Sequence, residues 1–337
     1  MKKLLTLAVA TAMTLSVAAA SATTLKLSEV HAEGYPTTLA DQEFARLIEE
    51  RTEGRIKVEV YSGGQLYGEE TGAIEALQLG DIAFARVSAS PVASYVPALN
   101  AIQMPYLYKN ADHMWAVLDG EIGQDMLAQI ESSGSGLVGL CWYDAGARSY
   151  YTTKQVSSVA DMKGLKIRMQ NNAMMDMTNV LGGTGVTGIG PNEVYSAIKQ
   201  GTIDGAENNW PTYQNMGDYE AATYYVLDEH TRVPEILLAS AEVLSGLDAA
   251  DVEIIKQCAI ETEAYEKQKW AEKEESSEKI VREAGCTITE LTPEAYAEFQ
   301  AAMTNPSDAL GGKSLYEKYG ADYQDVIDAI TAVGEAY

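Results

Sequence analysis

The sequence predicts an α/β protein built from two lobes. Strand-like and helix-like segments alternate along the chain, and such alternation favours parallel sheets covered by helices on both faces. The alternation restarts beyond Gly146, and about 310 residues are enough for two domains with sizeable cores. Residues 248–283 form a charged stretch without Pro or Gly. This stretch predicts a helix on the order of 50 Å long that spans both lobes.

The first half of the chain contains clear examples of both periodicities. From Ile56 to Val60, apolar and polar residues alternate as in a half-buried strand. Phe44, Leu47 and Ile48 have the spacing of one helix face, and Gly54 follows as a stop signal. By these criteria the predicted strands are 24–30, 56–60, 82–87 and 137–142, and the predicted helices are 36–52, 69–79 and 112–130.

The second half repeats the pattern with shorter segments. Pro191 precedes a helical pattern, as is common at a helix start. The predicted strands are 149–153, 165–169, 224–227 and 235–239, and the predicted helices are 173–181, 192–199 and 248–283. Because no low-complexity linker separates the two halves, we expect several crossing strands to join the lobes.

The first 22 residues have the features of a secretory signal. Lys2 and Lys3 precede an apolar stretch, and Ala20-Ser21-Ala22 fits the small-residue pattern at which such signals are cleaved. No later stretch is apolar over the roughly 18 residues that a membrane span needs. We therefore expect a protein that is exported to the periplasm.

The chain is strongly acidic. It contains 49 Asp and Glu against 24 Lys and Arg, a formal charge of −25 that becomes −27 when the signal is removed. Such a surface argues against nucleic acid or anionic lipid as a partner. We also expect the mature protein to be monomeric.

Cysteines and histidines give no sign of a metal site or a cofactor. Cys141, Cys258 and Cys286 have no metal-ligand spacing, and an odd number of cysteines favours free thiols, although Cys258 and Cys286 could pair. None of the three histidines is spaced as a metal pair or lies beside a nucleophile motif, and no nucleotide-binding motif is present. We predict no catalytic residue, no metal and no cofactor.

Arg168 is the most informative single residue. In the segment 165–169 apolar residues alternate with Lys166 and Arg168, so Arg168 ends a half-buried strand. Its planar guanidinium suits a bidentate contact with a small carboxylate. A surface or ion-paired arginine is the alternative interpretation.

Four ordered segments carry a resemblance to a known family: 52–55, 161–168, 192–195 and 201–208. On these segments the chain resembles the solute-binding proteins of tripartite ATP-independent periplasmic (TRAP) transporters, the DctP-like family. The resemblance implies a two-lobed clamshell with a long helix spanning both lobes. The first lobe would contain residues 23–145 and 234–273, and the second 146–233 and 274–337.

The resemblance also implies a ligand site between the lobes. Arg168 would bind the ligand carboxylate, Arg148 would support it, and Asn208 would hydrogen-bond the ligand. Segments around His31 and Arg86 would line the cleft from the opposite lobe. A narrower likeness to the branch that binds sugar acids adds hydroxyl-binding candidates, and the full predicted site is His31, Glu33, Arg86, Ser88, Arg148, Arg168, Asn208, Asn209 and Glu235.

The expected function is capture of a small organic acid, a hexuronate or related sugar acid, for delivery to the small and large TRAP membrane subunits. A C4-dicarboxylate or a keto acid is the alternative ligand. Such a ligand would fit the smaller pocket that remains if Glu33 and Glu235 pair with Arg86. An exported enzyme acting on acidic sugars through two carboxylates is a third possibility, although no nucleophile or base stands out near the predicted clamp.

Overall fold

The computed structural model describes residues 22–337 and divides their strands between two sheets. The predicted signal peptide lies, apart from Ala22, outside the described residues. The strands are β1 (Thr23–Ser28), β2 (Ile56–Tyr61), β3 (Phe84–Ser88), β4 (Leu137–Tyr143), β5 (Ala147–Thr152), β6 (Lys166–Arg168), β7 (Thr184–Val186), β8 (Gly205–Asn208), β9 (Tyr224–Leu227), β10 (Thr231–Arg232), β11 (Glu235–Ser240) and β12 (Thr287–Glu290).

Helices surround both sheets. The α-helices are α1 (Pro36–Arg51), α2 (Glu70–Leu79), α3 (Ala89–Val92), α4 (Ala111–Leu118), α5 (Glu121–Ser132), α6 (Asn172–Val180), α7 (Val194–Lys199), α8 (Trp210–Asn215), α9 (Ala241–Ser245), α10 (Ala249–Glu283), α11 (Pro293–Thr304) and α12 (Gln324–Val333). Most predicted elements are present, and the α/β class is confirmed.

Both sheets are mixed, so the prediction of parallel sheets is wrong. In the first lobe the strand order is β2-β1-β3-β11-β4, and β11 is antiparallel to β3 and β4. In the second lobe the order is β12-β9-β5-β8-β6-β7, and β5 is antiparallel to β8 and β9. The physical reason is the crossing of the chain between lobes. Since β11 starts at Glu235, opposite the last residues of β3 and β4, it must run against both.

Within residues 22–337 the chain passes between the lobes four times, the last time between α11 and α12. The chain crosses between Tyr143 and Ala147 and again between Arg232 and Glu235. The third connection is α10, which has 35 residues and is therefore about 52 Å long. Its first half packs in the core of the first lobe through Ile255, and Val281 near its end packs in the core of the second. The long helix that spans both lobes is confirmed.

The end of the chain returns to the first lobe. Helix α11 contacts α6 of the second lobe, whereas α12 packs against α4 and α5 of the first. The buried Ile327 and Ile330 give α12 an apolar face, and the His113 Nε2 atom lies 2.8 Å from the Ile330 carbonyl oxygen. The predicted assignment of all of 274–337 to the second lobe is therefore corrected for α12.

The three cysteines are free thiols; Cys141 and Cys258 are buried and Cys286 is half-buried. Within residues 22–337, no helix combines the length and the hydrophobicity that a membrane span requires.

A substitution at Gly205 tests the pairing of β5 with β8 in the second lobe. A Cβ atom at Gly205 would lie 2.1 Å from the Tyr151 carbonyl oxygen and 2.9 Å from the Thr152 Cα atom. Because β5 and β8 must separate to admit a methyl group, we expect Gly205→Ala to lower the free energy of unfolding by about 1–3 kcal/mol. Gly68→Ala is the matched control, since a Cβ there meets no atom within 4 Å. Equal urea midpoints for the two variants would contradict this pairing.

Candidate functional site

Arg86 lies in the middle of β3 and is enclosed by protein carboxylates. Its Nε atom donates to Glu29 Oε2 at 3.0 Å, and its Nη1 atom donates to Glu70 Oε1 at 2.6 Å. Glu235 Oε2 lies 2.8 Å from the same Nη1 atom, and the ring Nδ1 of His31 lies 2.7 Å from Nη2. All these side chains are buried. The protein therefore neutralises Arg86 fully. Glu235 pairs with Arg86, which is one part of the alternative in which Glu33 and Glu235 both pair with it and leave a smaller pocket.

The group around Arg86 contains more carboxylates than cations. Burial raises the pKa of Glu235 to about 8, against the opposing effect of Arg86. Burial would also raise the pKa of Glu29, but Arg86 and His31 outweigh it and hold that pKa far below its usual range. The buried Glu235 Oε2 atom makes no hydrogen bond of acceptable geometry within residues 22–337. The first lobe thus contains a buried carboxyl oxygen, Glu235 Oε2, that still needs a hydrogen-bond partner.

Glu33 does not reach the cleft, and this predicted site residue is corrected. Its carboxylate is exposed and accepts hydrogen bonds from Gln42 Nε2 at 2.7 Å and Ser62 Oγ at 2.9 Å. The inward position is taken by Tyr35, which is fully buried and stacks on His31 with ring centroids 3.8 Å apart. The turn before α1 therefore points Tyr35 inward and Glu33 to solvent.

Arg148 occupies the corresponding place in the second lobe. Its Nε and Nη2 atoms donate to the two carboxylate oxygens of Glu207 at 2.6 and 2.8 Å, and its Nη1 donates to Asn208 Oδ1 at 3.0 Å. His230 stands between Glu207 and Asp228, 2.7 Å from Asp228 Oδ2. Arg148 is thus neutralised as well, and it orients Asn208.

The charges of this second network stabilise one another. Burial alone would raise the pKa of Glu207, but Arg148 and His230 bring it down to about 2. Burial alone would lower the pKa of His230, but Asp228 and Glu207 raise it to about 9. The imidazolium, the guanidinium and the two carboxylates therefore balance, which leaves little net charge at this end of the cleft.

The two asparagines after β8 have different partners. Asn208 Oδ1 accepts hydrogen bonds from Arg148 and from the Asn209 backbone N–H, so its amide Nδ2 remains a donor with no partner in residues 22–337. Asn209 Oδ1 accepts from the backbone N–H of Thr212 at 2.8 Å and caps α8. Asn208 therefore has a free hydrogen-bond donor, whereas the side chain of Asn209 stabilises the start of α8.

Arg168 differs from the other two buried arginines. Its side chain donates through Nε to the carbonyl oxygen of Ile189 at 2.8 Å, and it forms no salt bridge with any residue of 22–337. Burial lowers the pKa of its guanidinium. Both terminal nitrogens consequently remain available for an anion from outside the protein.

A cavity of about 170 Å³ lies beside Arg168 between the lobes. Of the predicted site residues, only Arg168 lines it. Ser88 lies close by, its Oγ 3.5 Å from Gln170 Oε1 across the lobes. The lining residues are Glu69, Glu70, Thr71, Pro91, Arg168, Gln170, Gly188, Ile189, Gly190 and Pro191.

Sequence reasoning missed Glu29, Glu70 and Gln170. Gln170 could have been found, because a residue two positions after Arg168 lies on the same side of an extended segment. Glu29 directly follows β1, and the ends of neighbouring parallel strands meet at one sheet edge. Glu70 begins α2 after a loop, and no periodic signal marks it.

The lobes touch across the cleft. The Tyr35 hydroxyl lies 2.9 Å from Thr212 Oγ1, and Asn171 Nδ2 donates to the Ser90 carbonyl oxygen. The two lobes are therefore closed on each other. Among residues 22–337, no group of three or more His, Cys, Asp or Glu side chains is arranged to hold a metal ion.

His230 predicts a pH dependence of stability. Between pH 6.5 and about 9 the folded state keeps the His230 proton while the unfolded state loses it. The stabilising contribution is therefore complete below pH 6.5 and is lost as the pH rises through 9. We expect the free energy of unfolding of the wild type to exceed that of His230→Gln by about 1–3 kcal/mol at pH 6 and by much less at pH 9.5. Asp228→Asn should reduce the same slope; a difference independent of pH would contradict the network.

Comparison with known proteins agrees with this geometry. Residues 27–311 match the family described as bacterial extracellular solute-binding protein, family 7. A solute-binding protein of Chromohalobacter salexigens is 33% identical over 312 residues, which cover 91% of this chain and 88% of the relative. A solved TRAP periplasmic solute-binding protein from Pseudomonas putida F1, with bound D-glucuronate, is 35% identical with a TM-score of 0.85 and covers 92% of this chain and 97% of its own.

A second solved structure has a related ligand. The TRAP periplasmic solute-binding protein from Xanthobacter autotrophicus Py2, with bound β-D-galacturonate, is 35% identical with a TM-score of 0.84, over 91% of this chain and 99% of that one. The family match spans both lobes and the residues that enclose the cleft. As the resemblance of its segments predicts, the chain belongs to family 7 of the bacterial extracellular solute-binding proteins, the DctP family of TRAP solute-binding proteins.

Proposed function

We propose that the chain binds a hexuronate, such as D-glucuronate or D-galacturonate, between its lobes with the ligand carboxylate on Arg168. The observation that carries the proposal is the missing counterion. Arg168 is buried beside the cavity without a salt bridge in residues 22–337, whereas Arg86 and Arg148 are both paired. A buried cation is costly unless an anion compensates it. The guanidinium fork matches one carboxylate.

The remaining polar groups favour a ligand rich in hydroxyls. The cavity lining places Glu70 and Gln170 near Arg168, and Glu235 and Asn208 are buried beside Arg86 and Arg148 respectively. Glutamate oxygens accept the hydrogen bonds that hydroxyls donate. A second carboxylate would instead face Glu70 and leave acceptors unpaired, at about 1–3 kcal/mol for each lost hydrogen bond. The uronates bound by the two related proteins support the same conclusion.

The biological role follows from the family. We propose that the mature protein captures the acid in the periplasm, after removal of residues 1–22, and delivers it to the small and large membrane subunits of a TRAP transporter. Closure of two lobes around the ligand excludes water and strengthens each polar contact.

A ligand panel tests the substrate class. We expect D-glucuronate or D-galacturonate to raise the melting temperature, because ligand at a hundredfold excess over its Kd adds about 2.7 kcal/mol to the stability. Succinate, malate, a branched keto acid and D-glucose, which lacks the carboxylate, should produce little or no shift. The uronate should be recovered chemically unchanged, since an enzyme would alter it. A shift with only the dicarboxylates or the keto acid would refute the sugar-acid proposal.

Arg168 variants test the anchor. Arg168→Ala should weaken uronate binding by about 2–5 kcal/mol in calorimetry, because the enclosed carboxylate loses its charged partner. Arg168→Lys should restore only part of the affinity, because an ammonium cannot reproduce the fork. Arg46→Ala is the control: this arginine is exposed on α1 and, among the described residues 22–337, pairs only with Glu43 and Glu50. Unchanged affinity in Arg168→Ala would rule out this anchor.

A further inference from the structure

Two loops meet at the rim of the cleft. The first-lobe rim loop, residues 62–69, connects β2 to α2, and the second-lobe rim loop, residues 187–192, follows β7. Both contribute to the wall of the cavity beside Arg168, through Glu69 on one side and the segment from Gly188 to Pro191 on the other. The rim loops therefore cover the position assigned to the ligand carboxylate.

The rim loops approach each other closely at two glycines, Gly64 and Gly190. A Cβ atom at Gly190 would lie 3.0 Å from the Gly68 carbonyl oxygen and 3.0 Å from Glu69 Cγ. A Cβ atom at Gly64 would lie 2.7 Å from Asn192 Nδ2. Protein atoms pack at about 3.5–4.0 Å when both are carbon. An added methyl group at Gly190 therefore requires the first-lobe rim loop to yield by a few tenths of an ångström.

Backbone conformation does not require glycine at position 190. Gly190 has φ −67° and ψ 157°, which is ordinary extended backbone and the region that a residue before proline prefers. Any L-amino acid could adopt it without strain. Within the second lobe, the added atom would approach the flexible Glu193 carboxylate at 3.4 Å. The tightest constraint on this position thus comes from the first lobe.

The same loop orients Arg168. The carbonyl oxygen of Ile189 accepts the hydrogen bond from Arg168 Nε at 2.8 Å, and the next residue, Gly190, touches the first lobe. Ile189 therefore makes the contact that orients the guanidinium, and the adjacent Gly190 makes the contact that closes the rim.

We propose that Gly190 determines closure. The absence of a side chain at Gly190 lets the second-lobe rim loop seal against Gly68 and Glu69 over a carboxylate held by Arg168, so that carboxylate binding and lobe closure depend on one loop. The identity of the ligand rests on the proposed function, but the steric argument concerns only the two rim loops. Gly190 acts as a positioning residue: it contributes only backbone to the cavity wall, and it is adjacent to Ile189, whose carbonyl oxygen orients Arg168.

The test compares four proteins with D-glucuronate as the probe: wild type, Gly190→Ala, Gly190→Val and Gly246→Ala. Calorimetry gives the Kd, stopped-flow fluorescence gives the dissociation rate, and small-angle scattering at saturation gives the radius of gyration. Gly190→Val should bind about tenfold more weakly or worse, mainly through faster dissociation, and its saturated complex should stay more expanded than that of the wild type. Gly190→Ala should show a smaller effect in the same direction.

Gly246→Ala is the control: Gly246 is exposed after α9 in the first lobe, outside both rim loops, and among residues 22–337 a Cβ there meets only the Val243 carbonyl oxygen, at 3.4 Å. It should bind and compact as the wild type does. All four proteins should share one melting temperature without ligand, because within the second lobe an added Cβ at Gly190 meets only the flexible Glu193 carboxylate among its nearest atoms. If Gly190→Val unfolds at a lower temperature, the comparison rests on Gly190→Ala. Wild-type affinity and compaction in the Gly190 variants would overturn the inference. Failure of the wild type itself to bind either uronate would contradict the proposed function instead.

Discussion

The site depends on how three buried arginines are neutralised. Arg86 is surrounded by Glu29, Glu70 and Glu235, and Arg148 is paired bidentately with Glu207, whereas Arg168 has only the Ile189 carbonyl oxygen within residues 22–337. A buried charge is energetically costly without a partner. The two paired arginines, Arg86 and Arg148, therefore hold the walls of the cleft rigid, and the unpaired Arg168 determines the charge of the ligand. A single unpaired cation beside acceptor-rich walls suits one carboxylate and several hydroxyls. The strongly acidic surface of the protein does not oppose binding of a carboxylate at this site, because the nearby charge of Arg168 acts on the ligand most strongly.

The architecture places these groups together by crossing the chain between lobes. Glu235 begins β11 directly after the second crossing, and in the sheet it lies beside Ser88 and Tyr143 at the ends of β3 and β4. In the second lobe Arg148 follows the first crossing, and Asn208 ends the neighbouring β8, so that the pairing of β5 with β8 brings them into contact. Each functional side chain thus sits at a strand end that faces the cleft, on a backbone held by a hydrogen-bonded ladder. The rim loops add the last wall of the cavity.

Much of this could be predicted from the sequence where a short periodic pattern decides the outcome. The alternation around Arg168 placed it at the end of a buried strand, and the Pro-free and Gly-free stretch predicted α10. Strand direction could not be predicted, because alternation of strands and helices does not reveal where the chain crosses between lobes. Glu33 was misplaced for a similar reason: in an irregular turn no periodicity says whether Glu33 or Tyr35 points inward. The return of α12 to the first lobe depends on contacts more than 200 residues apart in sequence, such as that of His113 with Ile330, which a local pattern does not encode.

The most direct test of the central claim is a crystal structure of the protein with D-glucuronate. Our account predicts both ligand carboxylate oxygens at about 2.7–2.9 Å from the terminal nitrogens of Arg168, with Arg86 and Arg148 still bound to their protein carboxylates and the sugar hydroxyls directed toward the acceptors of the cleft. A ligand carboxylate bound to Arg86 or Arg148 in place of a protein glutamate, with Arg168 left without an anion, would contradict it.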